Sequence, residues 1–227
     1  MAIQLKSPKE SAVSQGIKAL IYGPSGAGKT VSTTTAPGKA LLISAEAGLL
    51  SIKDTAADMQ VAEVTSMDDI NAVYDALLRR EIEGVEWIFL DSISEVGEVV
   101  LSKEKEKTKD PRQAYGQLID DMGSLIRAFR DLPGYNVVML SKMERQKDDH
   151  TGAVLYGPAM PGSKLSQQMP YWFDFVFCLR AEKDQDGNIQ RWFQTQPDLQ
   201  YQAKSRVPNL PVYIEPDFSK LFSLIGG

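Results

Sequence analysis

A chain of 227 residues has room for one large α/β domain or two small ones, and at about 150 residues per domain a single domain over 1–227 is the expectation. With 25 Lys and Arg against 30 Asp and Glu, the formal charge of -5 excludes a protein that coats nucleic acid by bulk positive charge, so any such contact must come from a local basic patch. A lone cysteine, Cys178, excludes an internal disulfide, and the absence of a long apolar run or of a secretory core in the opening MAIQLKSPKE implies an intracellular, cytoplasmic protein with no membrane contact.

After a lead segment at 1–16, strand-length apolar runs occur at 19–22, 40–44, 60–64, 87–90 and 136–140, with helical patterns at 67–80 and 117–130. Alternation of buried strands with helices predicts an α/β fold: a mostly parallel central sheet flanked by helices. The nucleotide-binding core is expected over 17–142. A polar stretch with Gly and Pro follows, and 143–162 within it reads as a loop. In the remainder, 163–227, aromatic-rich strands are expected at 171–180 and 189–195, joined by a turn at Asp186 and Gly187 into an antiparallel β-hairpin extension. A short strand near 201–205 and a helix at 217–225 complete the reading.

The chemistry begins at Gly23-Pro24-Ser25-Gly26-Ala27-Gly28-Lys29-Thr30, set between the first strand and a helix. This spacing makes a phosphate loop: the glycines let main-chain N–H groups turn inward against an anion, where Cβ atoms would obstruct. Lys29 supplies charge to the β- and γ-phosphates of ATP, Thr30 offers a hydroxyl to Mg2+, and the helix directs its positive end at the nucleotide. Asp91, after the apolar Trp87-Ile88-Phe89-Leu90, suits a strand-end carboxylate that holds the metal with Thr30, although Asp also ends ordinary strands. The residue after Asp91 is Ser92 rather than Glu, so the group that activates water has to stand elsewhere. Glu46, after the strand at 40–44 and between Ala45 and Ala47, is the candidate, with a solvated loop Glu as the plain alternative.

These residues resemble the RecA recombinase superfamily, and in particular the core-only RecA-like ATPases that phages encode as single-strand annealing proteins of the Sak type; the resemblance spans about 17–206. It implies a RecA-like P-loop NTPase core in a phage protein acting inside a bacterial host. Leu42-Ile43-Ser44-Ala45-Glu46 resembles the strand ending in the catalytic Glu, and Ile88-Phe89-Leu90-Asp91-Ser92 the magnesium strand. Val137-Val138-Met139-Leu140-Ser141-Lys142 resembles the strand that leads from the nucleotide to the second DNA loop; where the family commonly carries a Gln as γ-phosphate sensor, Ser141 and Lys142 stand, and the resemblance implies Ser141 as a nucleotide contact without deciding which of the two senses the γ-phosphate. The stretch Met143 to Gly162 would be that DNA loop, with Arg145, Lys147 and Tyr156 as contacts and Lys164 just beyond it. The first DNA loop is expected after Thr108 and up to Tyr115, with contacts from Lys109, Arg112 and Tyr115, although its lysines are interleaved with acids as on a solvated helix end. Ala203-Lys204-Ser205-Arg206 resembles the basic pair that reaches a neighbouring subunit's γ-phosphate, so Lys204 and Arg206 join Lys29 and Glu46 as catalytic candidates, against the reading of a charged strand end.

Together the resemblance implies an ATP-dependent single-stranded DNA-binding protein promoting annealing or recombination, with ATP and Mg2+ held between copies in a filament or ring. A single-strand DNA-binding protein would be a further partner. The alternatives are a nucleotide-gated DNA- or protein-binding module with incidental turnover, and a helicase-like motor. His150 reads as a loop residue without metal partners, Cys178 as core, Trp172 and Phe173 as packing residues, and Met160, like Tyr115 and Tyr156, as a candidate base contact.

Overall fold

The computed structural model describes residues 16–46, 48–147 and 152–225. In chain order the strands are β1 (Lys18–Gly23), β2 (Ala40–Ser44), β3 (Met59–Glu63), β4 (Trp87–Asp91), β5 (Asn136–Lys147), β6 (Val154–Pro158), β7 (Phe175–Lys183), β8 (Ile189–Gln194), β9 (Lys204–Ser205) and β10 (Tyr213–Ile214). The α-helices are α1 (Lys29–Ser32), α2 (Met67–Leu78), α3 (Ile93–Lys107), α4 (Pro111–Arg130), α5 (Ser163–Gln168) and α6 (Phe218–Leu224). The strands form one sheet in the order β10-β8-β7-β1-β5-β4-β2-β3, with β6 beside β5 and β9 beside β7. From β3 through β7 all pairings along this path are parallel, and antiparallel pairing enters only with β6, β8, β9 and β10.

Every residue of β1, β2 and β4 is buried, as a strand covered on both faces requires. Side-chain alternation then feeds two cores. Leu20 and Tyr22 pack with Ile43, Leu90 and the apolar stripes of α2, α3 and α4 on one face. Ala19 and Ile21 pack on the other with Leu42, Phe89, Phe177 and Phe218 of α6. Helix starts follow their cap chemistry. Ser66 and Asp69 make a capping box at α2, Ser92 accepts the Glu95 N–H at α3, and Asp110 caps α4 with Pro111 in its first turn.

That last cap corrects the expected first DNA loop. Residues 108–110 alone connect α3 to α4, so Arg112 and Tyr115 are helical and only Lys109 lies in the connection. The expected second loop is also largely strand: β5 runs on to Lys147 and pairs antiparallel with β6, Met143 opposite Pro158 and Arg145 opposite Tyr156. Residues 148–151, His150 among them, and Ala47 lie outside the described residues. A 3-10 turn at Met169–Trp172 replaces the start of the expected strand at 171–180, and the strand near 201–205 shrinks to β9 plus a bridge from Tyr201 to Tyr156.

At the amino end of β1, Lys18 is buried and its Nζ donates to the carbonyls of Tyr135, 2.9 Å away, and Leu132, 3.3 Å away. Burial lowers its pKa from 10.5 to about 8, with Asp131 and Asp174 pulling the other way. Between these values the unfolded chain holds a proton that the native state has released, so stability should rise with pH from 8 to 10.5 and carry the full cost below 8. Urea denaturation of the parent and Lys18→Met should show their stability difference moving in the parent's favour by about 2–3 kcal/mol across that window. A difference independent of pH would refute this.

Candidate functional site

The carboxyl ends of β1, β2, β4 and β5 converge on one rim of the sheet, and the loop after β1 sits there. Gly26 and Gly28 hold φ of 76° and 102°, which glycine adopts without strain. At Gly23, any Cβ would stand 2.5 Å from the Leu179 carbonyl oxygen of β7, so glycine also sets the close approach of those strands. Lys29 folds back over the loop, its Nζ donating to the carbonyls of Gly23 at 2.9 Å and Pro24 at 3.0 Å. Burial lowers its pKa, against the pull of Asp91 and Glu46.

The helix after the loop is shorter than its predicted role requires. α1 spans a single turn and tightens into a 3-10 segment at Thr33–Thr35. The hydroxyls of Ser32, Thr33, Thr34 and Thr35 each donate to the carbonyl three residues back, which competes with the regular helix ladder, and Pro37 follows. A dipole summed over so few peptides is small. Anion recognition there rests on local N–H groups instead.

Thr30 Oγ1 donates to Asp91 Oδ2 at 2.5 Å, joining the loop to the end of β4. Asp91 is buried, which raises its pKa, although the Thr30 hydrogen bond opposes that. A hydroxyl beside a carboxylate is the hard oxygen pair that suits Mg2+, a metal that keeps waters and takes phosphate oxygens as its remaining ligands. Among the described residues no group of three or more His, Cys, Asp or Glu could hold a metal. The positive-φ glycines and this pair fit a magnesium-bound phosphate.

Glu46 stands at the end of β2, its carboxylate about one-third exposed. Ser92 Oγ donates to its Oε1 at 2.5 Å, and Lys142 Nζ lies 3.7 Å from the same oxygen. Lys142 also pairs with Glu95 Oε2 of α3 at 2.5 Å, which raises its pKa. Lysine, acid and hydroxyl thus meet where β5 passes Gly23, its partner in register. Ser141, expected at the nucleotide, is fully buried on the opposite face of β5, with its hydroxyl against Ser94 Oγ and the Ala159 carbonyl. Strand alternation assigns the exposed position at this strand end to Lys142.

Lys204 and Arg206 stand at the opposite rim. β9 pairs with the amino end of β7, Val176 opposite Lys204, whereas the phosphate loop follows the carboxyl end of β1. Lys204 Nζ donates to the Phe173 and Pro170 carbonyls, and Arg206 pairs with Asp174 at 2.7 Å. Of the DNA candidates, Arg145 and Lys147 project from one side of β5 and are exposed, and Lys164 is exposed on α5. Tyr115 approaches Gly162 at the start of α5, so the hairpin's exit and α4 do come together. Tyr156 stacks its ring on Tyr201, 4.9 Å between centroids. Met160 and Phe173 are core residues, the former a correction to its predicted base contact; Cys178 is core as expected, burial pushing its thiol up to about 11. Trp172 packs under the Arg127 guanidinium.

Sequence reading missed three residues here. Tyr22 donates its hydroxyl to the Gln202 carbonyl at 2.6 Å and the Tyr156 carbonyl at 3.1 Å, tying β1 to the hairpin; a hydroxyl in an otherwise apolar strand was the available signal. Lys142 was seen but given no partner. Arg191 of β8 donates Nε to the Ala27 carbonyl at 3.0 Å, a contact across 164 residues with no local signature.

Among the described residues no helix is long and apolar enough to cross a membrane. No curated protein matches the chain. Among solved structures, the crystal structure of the RadB recombinase aligns with 80% of this chain and 89% of its own, at 12% identity and a TM-score of 0.44. The family described as AAA domain matches residues 15–207, the stretch that contains the phosphate loop, Glu46 and Asp91, and the chain belongs to that family.

Proposed function

We propose that this protein is an ATPase that binds single-stranded DNA and promotes annealing or recombination, a relative of the Sak-type phage annealing proteins. The observation that carries the reading is the continuity of β5. One strand of 12 residues passes the phosphate loop at Lys142 and continues into a hairpin bearing Arg145 and Lys147. A change at Lys142 when nucleotide binds thereby reaches the DNA-facing hairpin through one covalent element. Residues 17–142 are the nucleotide-binding part of a single domain, and DNA contact falls to Arg145, Lys147 and Lys164, with Lys109, Arg112, Tyr115 and Tyr156 at its margins.

Thr30 and Asp91 would hold Mg2+, which when bound would offset part of the charge on the phosphates of ATP. Lys29 exchanges its two carbonyl partners for phosphate oxygens, and Glu46 orients water once Lys142 has moved off it. Copies assemble into a filament or ring. A trans role for Lys204 and Arg206 then requires a neighbour's amino-end rim to meet this carboxyl-end rim, with Arg206 leaving Asp174.

The test combines nucleotide binding with DNA. Titration with a fluorescent ATP analogue should show magnesium-dependent affinity that falls about tenfold to a hundredfold in Lys29→Ala, the loss expected for charge-assisted hydrogen bonds. Single-stranded oligonucleotides should raise the hydrolysis rate, and complementary strands should anneal faster with protein and ATP. Nucleotide binding without either DNA effect would favour a gated protein-binding module. Unwinding of a tailed duplex would favour the motor.

A further inference from the structure

The candidate ATP site carries two ammonium groups, Lys29 and Lys142, against the three carboxylates of Asp91, Glu46 and Glu95, and Lys142 is already committed to Glu95. A triphosphate adds several more negative charges, only part of which magnesium offsets. Lys204 and Arg206 stand on the far rim of their own subunit, so within one copy neither adds positive charge to this site.

Arg191 stands at the loop itself. Its Nε donates to the Ala27 carbonyl, and its Cδ and Nε lie 3.4 Å from where a Gly28 Cβ would be, so the side chain lies along the loop's outer lip. It is held there by the sheet: β8 pairs with β7 from Ile189 to Gln194, Arg191 opposite Ala181, and β7 pairs with β1. Arg130, Arg180 and Arg206 each pair with a carboxylate. Arg191 has no such partner among the described residues, and the Nε contact leaves both Nη groups for another acceptor. Guanidinium presents a planar fork that matches phosphate oxygens.

We propose that Arg191 contacts the polyphosphate of the nucleotide bound in its own subunit, Nε anchoring the guanidinium on Ala27 while the Nη groups donate to phosphate oxygen. This rests on the ATP-site reading above. The C-terminal hairpin of β7 and β8 is then part of the nucleotide site, and affinity for ATP does not depend on assembly, unlike any contact from Lys204 or Arg206 of a neighbour.

The experiment measures, on the full chain, dissociation constants for a fluorescent ATP analogue and, by competition, for adenosine and inorganic tripolyphosphate, with urea stability alongside. Arg191→Ala should weaken ATP analogue and tripolyphosphate about tenfold to a hundredfold and leave adenosine unchanged. Arg191→Lys, keeping charge without the fork, should recover part of the loss, and both effects should be the same in dilute and concentrated protein. Normal tripolyphosphate affinity in Arg191→Ala, with Lys29→Ala impaired, overturns the proposal and leaves the phosphate loop standing. So does an equal loss in the Ala and Lys variants that tracks lowered stability, since that marks a brace alone, or a loss confined to concentrated protein, since that marks a contact in trans. Unchanged binding in all three variants, Lys29→Ala included, overturns the ATP site itself.

Discussion

Glu46→Gln is expected to cut ATP turnover by about 10²–10⁴-fold, the range for losing a positioned general base, while nucleotide affinity holds or improves. The direction of the affinity change follows from charge: the substitution removes a carboxylate from a site with more acids than bases, so an incoming anion meets less repulsion. The amide is nearly the same shape and its oxygen still accepts from Ser92 Oγ, now 2.5 Å from Oε1, so the strand end should keep its geometry. Lys142 would retain Glu95 and lose only the longer 3.7 Å contact. Single-turnover hydrolysis with and without single-stranded DNA is the measurement. Turnover equal to the parent's would remove Glu46 from the reaction and turn attention to Glu95, the other carboxylate on Lys142.

What the sequence made legible follows from where the physics is local. The apolar runs within β1, β2 and β4 read as strands buried on both faces, and Asp91 and Glu46 after them are brought to the phosphate loop, where that loop and the family resemblance, more than spacing alone, had pointed. Asp110-Pro111 is also readable, an N-cap followed by a first-turn proline, but the lysines and acids before it obscure the signal, and the segment reads as a loop where the structure has a helix start. The extension of β5 was hidden for a different reason. Beyond Met143, which still packs against the first core, the strand pairs with β6 alone, so nothing requires its side chains to be apolar. Ser141 and Lys142 show the limit most sharply: adjacent residues at one strand end, of which pleat parity alone decides that Ser141 is buried and Lys142 faces Glu46. The position of Arg191 depends on a hairpin, a parallel pairing and a turn all closing in register, and no local pattern encodes that sum.

Phe89→Ala should cost about 3–5 kcal/mol, the range for deleting a buried aromatic ring, and a large part of the stability an ordinary domain has. Phe89 is fully buried in the middle of β4, between Leu42 of β2 and Val138 of β5, and its ring lies 5.3 Å from Phe218 and 6.0 Å from Trp87. Strands paired on both edges cannot close inward to fill the hole, so most of the ring's volume should remain as a cavity. Phe218 is the first residue of α6, so the same deletion loosens the clamp between the C-terminal helix and the sheet. Two residues along the same face stands Asp91, whose hold on Thr30 depends on β4 staying in register with β5. Urea denaturation should therefore show the loss, and saturating magnesium and ATP should restore part of it, because ligand binding to the native state alone adds stability by mass action. Val61→Ala, on the half-exposed edge strand β3, is the matched control and should stay within about 0.5 kcal/mol. A Phe89→Ala variant as stable as that control would mean that the sheet has relaxed around the missing ring, and that the rim bearing Asp91 is not the rigid platform on which the proposed chemistry stands.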